Sequence, residues 1–149
     1  MMQLGGVVFV VLGLLSPAFS DVDFIDCGSN QIEIESVEIP GCTVTPCRFY
    51  RNRNYDIYIT PNSVNPTVMS IDLKVEACIR GANFAVDATF VHPCITDCPL
   101  QTKLDRPEIP INVSISRFFI PGLTTFRINA TFIGNDQPNF CVLFYVDIY

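Results

Sequence analysis

Residues Val68–Ile79 read VMSIDLKVEACI and switch side-chain character at every step. Met69, Ile71, Leu73, Val75, Ala77 and Ile79 fall on one face of an extended chain; Ser70, Asp72, Lys74, Glu76 and Cys78 fall on the other. A period of two marks a strand with one face in a core and one in water. After the Arg80-Gly81 turn signal the period returns in Phe84, Val86, Ala88 and Phe90, opposed by Asp87 and Thr89. Ile111, Val113 and Ile115 repeat it against Asn112, Ser114 and Ser116, and Phe126, Ile128, Ala130 and Phe132 against Arg127, Asn129 and Thr131. The last run, Cys141 to Ile148, gathers Val142, Phe144, Val146 and Ile148 on one side. Earlier, Ile32, Ile34, Val37 and Ile39 nearly alternate up to Pro40-Gly41, and Tyr55 to Thr60 forms a run closed by Pro61. About seven short strands separated by turn residues predict an all-β fold, an antiparallel sandwich. The prolines fall mostly between the runs, where a missing N–H costs no ladder bond.

Ahead of these strands, residues 1–20 carry no charged side chain, and the apolar run Val7–Leu15 ends at Ser16-Pro17 before Ala18, Phe19 and Ser20. This is the pattern of a secretory signal peptide, leaving residues 21–149 as one domain. The competing reading, a membrane anchor, fails on length, because spanning a bilayer takes about 20 apolar residues. The net charge is −6, with Lys and Arg scattered along the sequence. Such a chain offers no electrostatic footprint for nucleic acid or an anionic membrane, so affinity for lipid should come from apolar burial.

All seven cysteines follow residue 20, which points to an oxidising compartment and a disulfide framework with one thiol left over. Cys42 and Cys47 flank Pro46, and Cys94 and Cys98 enclose three residues, so each pair is close enough to close a small loop. Cys27 and Cys141 would then tie the ends of the domain together and leave Cys78 free. Zinc is the competing reading of a cysteine-rich chain, but there is no CxxC and His92 is the one histidine, so no metal site is expected. Cys78 lies on the polar face of its strand. It is either a reactive or intermolecular thiol or one hidden under a loop or at a sheet edge, and the second reading is preferred because no basic cluster activates it. With no GxSxG elbow and no Cys-His pair, nucleophilic catalysis lacks its base and its orienting group, and no catalytic residue is assigned. Two sequons, Asn112-Val113-Ser114 and Asn129-Ala130-Thr131, place their asparagines on polar faces where a glycan is tolerated.

Asp26-Cys27-Gly28-Ser29, VEIPGC at Val37–Cys42, Pro46-Cys47 and CITDCPL at Cys94–Leu100 together resemble the secreted lipid-recognition (ML) domain family, which includes Niemann-Pick type C2 proteins and the group 2 mite allergens. The likeness runs from about Asp21 to Tyr149 and includes the order of six cysteines. It implies an immunoglobulin-like sandwich of two antiparallel sheets with an apolar cavity between them. It implies the three disulfides Cys27–Cys141, Cys42–Cys47 and Cys94–Cys98, in agreement with the loop spacing, and Cys78 is extra to it. Two departures stand out: the chain has no Trp, and CPL is followed by Gln101-Thr102-Lys103 instead of a lysine-glycine pair.

The family's members bind sterols, fatty acids, phospholipids, lipid A or small apolar signalling molecules without a cofactor, and are not enzymes. The resemblance therefore implies a lipid or other apolar small molecule as partner, with transport as the leading role and allergenicity as an accompaniment. Strand parity selects as cavity lining Ile57, Ile59, Leu73, Val75, Phe84, Val86, Phe90, Val113, Ile115, Phe126, Ile128, Phe132, Val142, Phe144 and Val146. Phe118, Phe119 and Ile120 break the alternation before Pro121-Gly122. They are read as a rim where a ligand enters or a membrane or receptor is touched, or else as a strand end buried on both sides. Three functions compete: a secreted or lysosomal lipid carrier, an immune co-receptor module, and a structural sandwich whose core is simply filled.

Overall fold

The computed structural model describes residues 21–30, 32–62, 71–90, 108–132 and 140–149, and the side chains of Ile71, Phe90 and Phe132 lie outside that description. The described residues form ten strands and no helix. These are β1 (Phe24–Asp26), β2 (Ile34–Glu38), β3 (Cys47–Phe49), β4 (Arg53–Pro61), β5 (Ile71–Ile79), β6 (Ala82–Ala85), β7 (Asp87–Phe90), β8 (Ile109–Ile115), β9 (Gly122–Phe132) and β10 (Phe140–Ile148). One sheet runs β1-β10-β9-β5-β6, with β3 also on β10, and the other runs β2-β4-β8-β7. The expected sandwich of two sheets is therefore present. One pairing departs from it: β3 lies parallel to β10, Val146 beside Cys47 and Ile148 beside Phe49. β1 and β3 thus share one edge of β10, β1 antiparallel against residues 142–144 and β3 against 146–148.

Local sequence explains the irregular points. The near-alternation of Ile34 and Val37 skips a step, and the β2–β4 register shifts between Ile34 and Ser36. This bulge absorbs the extra residue and keeps both side chains inward, at 7% and 0% exposure. Between β5 and β6 the two-residue turn Arg80-Gly81 has positive φ at both positions, 50° and 84°. That is the combination whose twist matches a tight hairpin, and glycine meets it without a Cβ penalty.

The run Phe84–Phe90 is not one strand. β6 pairs with β5, whereas β7 pairs with β8 in the opposite sheet. Val86, at the crossing, still donates its N–H to the Val75 carbonyl at 2.9 Å, and Asp87 already lies beside Ser114. A change of sheet preserves the period of two, because inward residues of either sheet face the same core; hence the pattern conceals it.

The cysteine motifs are structural. Cys27–Cys141 and Cys42–Cys47 are bridged, with Cα separations of 5.0 and 5.3 Å. Cys94 and Cys98 lie outside the described residues. Asp26 accepts hydrogen bonds from the N–H groups of Gly28 (2.9 Å) and Ser29 (2.8 Å), and Ser29 Oγ accepts one from the Cys141 N–H at 3.1 Å. The Ser29 and Gly28 amides hold the Asp26 carboxyl below its ordinary value. The Asp-Cys-Gly-Ser sequence is thus a turn that clamps the start of the domain onto β10.

Candidate functional site

The candidate site is the space faced by both sheets. Ile57 and Ile59 on β4, Val113 and Ile115 on β8, Phe126 and Ile128 on β9, and Val142, Phe144 and Val146 on β10 all have 0% exposure. Val75 and Val86 are nearly as deep, and Leu73 packs half-buried against the same cluster. Phe84 is the correction: it is 44% exposed. It sits on the short strand β6, at the edge of its sheet among the described residues, where none of them in the opposite sheet covers a large side chain. Phe90 and Phe132 lie in strands, but their side chains are outside the described residues. Parity reasoning also passed over Ile109, Ile111, Phe49 and Phe140, all 1% exposed or less. Ile109 and Ile111 share the parity of Val113, and Phe140 that of Val142, and were legible; Phe49 ends the three-residue β3, where no period develops.

The chemistry of this interior is uniform. Thr60 and Thr124 are the buried polar residues among those described, and Thr124 Oγ1 donates to the Gly122 carbonyl at 3.2 Å. No buried side-chain nitrogen or oxygen among the described residues lacks a partner. Among the described residues the interior therefore presents mainly methyl, methylene and phenyl groups to any occupant.

At the end where β3 passes into β4, Phe49 from one sheet stacks on Tyr55 from the other, ring centroids 4.0 Å apart and planes 8° from parallel. Phe49 also meets Phe126 edge-on at 5.7 Å, and Phe126 lies 6.0 Å from Phe144, so aromatic rings run from this end into the core. The Phe118–Ile120 turn lies at the same end, since Ile115 pairs with Arg53 and Gly122 with Ile148. Phe118 is 79% and Ile120 43% exposed, whereas Phe119 turns back against the core. The turn is held by hydrogen bonds from the Phe118 N–H to Ser116 Oγ (3.2 Å) and from the Phe119 N–H to the Ser116 carbonyl (3.1 Å).

Outside the stacked pair, a groove of about 830 Å³ runs between the Cys42–Cys47 loop and the residues around Tyr50 and Tyr149, with Arg48, Arg53 and Asp147 in its walls. The scattered cations are partly gathered by the fold: Arg48, Arg51, Arg53 and Arg117 all lie at this end.

The remaining expected residues lie on outer faces. Cys78 is free and half-buried, between Asn83 on β6 and Thr125 on β9. Asn112 is half-buried and its side-chain amide donates to Asp56 Oδ1 at 2.7 Å; Asn129 is half-buried between Lys74 and Cys141. His92 lies outside the described residues.

No family model matches the chain. The chain is similar to the mite group 2 allergen Pso o 2 of Psoroptes ovis, 27% identical over 144 residues that cover 96% of this chain and 95% of the allergen. It is similar to NPC intracellular cholesterol transporter 2 of Danio rerio, 26% identical over 102 residues, 68% of this chain and 64% of the fish protein. Among solved structures, a Niemann-Pick type C2 protein from the Japanese carpenter ant superposes with a TM-score of 0.63 at 17% identity, over 85% of this chain and 99% of that one. The fold is that of the ant protein, and the resemblance to the lipid-recognition family rests on all three likenesses.

Proposed function

We propose that this chain, with its likeness to the lipid-recognition family as the premise, is a secreted carrier that holds a sterol, fatty acid or similar apolar molecule between its sheets and catalyses no reaction. The observation that carries the proposal is the composition of the facing sides, whose buried residues among those described are apolar apart from Thr124. The likeness to a protein named as a cholesterol transporter supports a sterol as one ligand class. Two disulfides and the signal-like residues 1–20 support passage through an oxidising secretory route, to the extracellular fluid or the lysosomal lumen. Burying about 500 Å² of ligand apolar surface contributes roughly 12 kcal/mol, and an association cost of about 4 kcal/mol leaves micromolar affinity.

A specific observation favours a second reading, the filled structural sandwich. Side chains at 0% exposure touch no void large enough for water, and nine of the residues expected to line the cavity are in that state, as are Ile109, Ile111 and Phe140. At these positions a carrier must part its sheets to accept a ligand, most easily beside the half-buried Leu73, away from the Phe49–Tyr55 stack. Leu73→Trp tests this, because the chain has no Trp of its own. Energy transfer from the new indole to dehydroergosterol or cis-parinaric acid, saturating at one ligand per chain, is the expected result. Absence of transfer to both ligands in a folded variant selects the filled sandwich.

A further inference from the structure

We propose that the outer groove is a second binding site, which takes a phosphate or sulfate ester between Arg48 and Arg53 and lays the ester's carbon part on Tyr50 and Tyr149. It is separate from the inter-sheet interior, from which the stacked Phe49 and Tyr55 divide it, and it stands whether or not a lipid is held inside.

The site is built by a tight connection. Asn52, at a φ of 61°, turns the chain between β3 and β4, so that Arg48 and Arg53 come to line one groove. The turn is fixed by main-chain hydrogen bonds from Arg51 to Tyr149 (3.0 Å), from Tyr149 to Phe49 (2.9 Å) and from Asn52 to Ile115 (2.6 Å). Within it the Arg53 guanidinium carbon lies 5.7 Å from the Tyr50 ring centre, the Tyr50 and Tyr149 rings are 5.8 Å apart, and the Arg48 guanidinium carbon lies 5.7 Å from the Tyr149 ring. Two cations thus bracket a pair of aromatic rings, an arrangement fixed before any ligand arrives.

Neither guanidinium is held in an ion pair: no carboxylate of the described residues lies within 4.0 Å of Arg48 or Arg53, although Asp147 is the neighbour of Arg48 across the β3–β10 register. A guanidinium attracted to a ring face commits none of its five N–H donors to an anion, and their planar fork matches phosphate and sulfate oxygens. Asp147 is the carboxylate in the wall, and its Oδ2 accepts a hydrogen bond from the Tyr149 hydroxyl at 2.8 Å. Arg117, and Arg80 in the β5–β6 turn, add positive charge at the same end of a chain whose net charge is −6. Five arginines against Asp147 and Asp87 leave this end with an excess of positive charge, which favours anions there. The exposed Val44, Tyr50 and Tyr149 and the buried Ile39 add an apolar wall, which favours an ester over a bare inorganic ion. The groove volume falls within the range of small-molecule sites, about 300 to 1,000 Å³.

A soluble ester and a lipid headgroup share this chemistry, and two arms of one experiment separate them. Three of the five tyrosines line the groove and the chain has no Trp, so intrinsic tyrosine fluorescence reports on it directly. The mature protein is titrated with sn-glycerol 3-phosphate and, separately, sedimented with phosphatidylcholine vesicles with and without phosphatidic acid. The expected result is a saturable response to at least one phosphate source, weakened about tenfold or more in Arg48→Gln/Arg53→Gln and unchanged in Lys74→Gln. Both arginines are exposed, so the double variant should keep the parent circular dichroism and melting curve. A response to glycerol phosphate assigns a soluble ester, and binding to the phosphatidic acid vesicles alone assigns a lipid headgroup. No response to either source, or one that the double substitution leaves intact, overturns the proposal.

Discussion

Removing the Cys27–Cys141 bridge should cost the domain more than twice what removing Cys42–Cys47 costs. The two bridges span 114 and 5 residues. In the chain-entropy account, a closed loop of the first length removes about 4.8 kcal/mol worth of disorder from the unfolded chain, and one of the second about 2.1 kcal/mol. The serine variants place one hydroxyl at a buried position in the long-loop case, Cys141, and two in the short-loop case, Cys42 and Cys47, so the predicted order must hold against that difference. With a urea slope of about 1.5 to 2 kcal/mol per molar, the two midpoints should separate by about 1.5 M. The fold adds to the asymmetry, because the long bridge anchors the Asp26–Ser29 turn and the three-residue β1 to β10. Equilibrium urea unfolding of Cys27→Ser/Cys141→Ser and Cys42→Ser/Cys47→Ser, followed by circular dichroism, is the assay. Equal midpoints, or a lower one for the short-loop variant, would show that the bridges do not act through unfolded-chain entropy.

Phe126→Ala should lower stability by about 3 to 5 kcal/mol, since Phe126 is fully buried and joins Phe49 to Phe144; thermal unfolding checks it. Glu38 has its carboxyl held above the ordinary glutamate value of 4.5, by desolvation first and then by Asp21 and Glu108. Its protonated form is favoured by folding, so its stabilising contribution is complete below 4.5 and is lost as pH rises through the folded value. Glu38→Gln should therefore raise the melting temperature at pH 7, by under about 1 kcal/mol equivalent for this partly exposed site, with the gain vanishing below pH 4.5. Cys78, free on the outer face, should take up one equivalent of iodoacetamide in the native protein without change in sterol or fatty acid binding, as read by intact mass and a competition assay.

The strands were legible where the period of two had room to develop. β5, β8, β9 and β10, seven to eleven residues each, follow the sequence pattern closely. β1 and β3, three residues each, are too short to show a period, and the parallel pairing of β3 with β10 depends on residues about a hundred positions apart. Phe84 misled because alternation reports which face a residue occupies and is silent on whether another sheet covers that face. The interior was legible for the same reason the strands were: inward residues are apolar at every second position. The outer groove was not, because Arg48 and Arg53 belong to no periodic pattern, and it is the Asn52 turn and the Tyr149 contacts that bring cation and ring together. Charge counted along the sequence averages away a cluster that folding creates.

The most direct test of the lipid-carrier account is native mass spectrometry of residues 21–149 produced through a eukaryotic secretory pathway, with organic extraction of whatever travels with the protein. The account predicts a stoichiometric sterol, fatty acid or comparable apolar molecule, or its uptake when added to the free protein. A ligand-free mass that stays unchanged after incubation with both cholesterol and palmitate would contradict it.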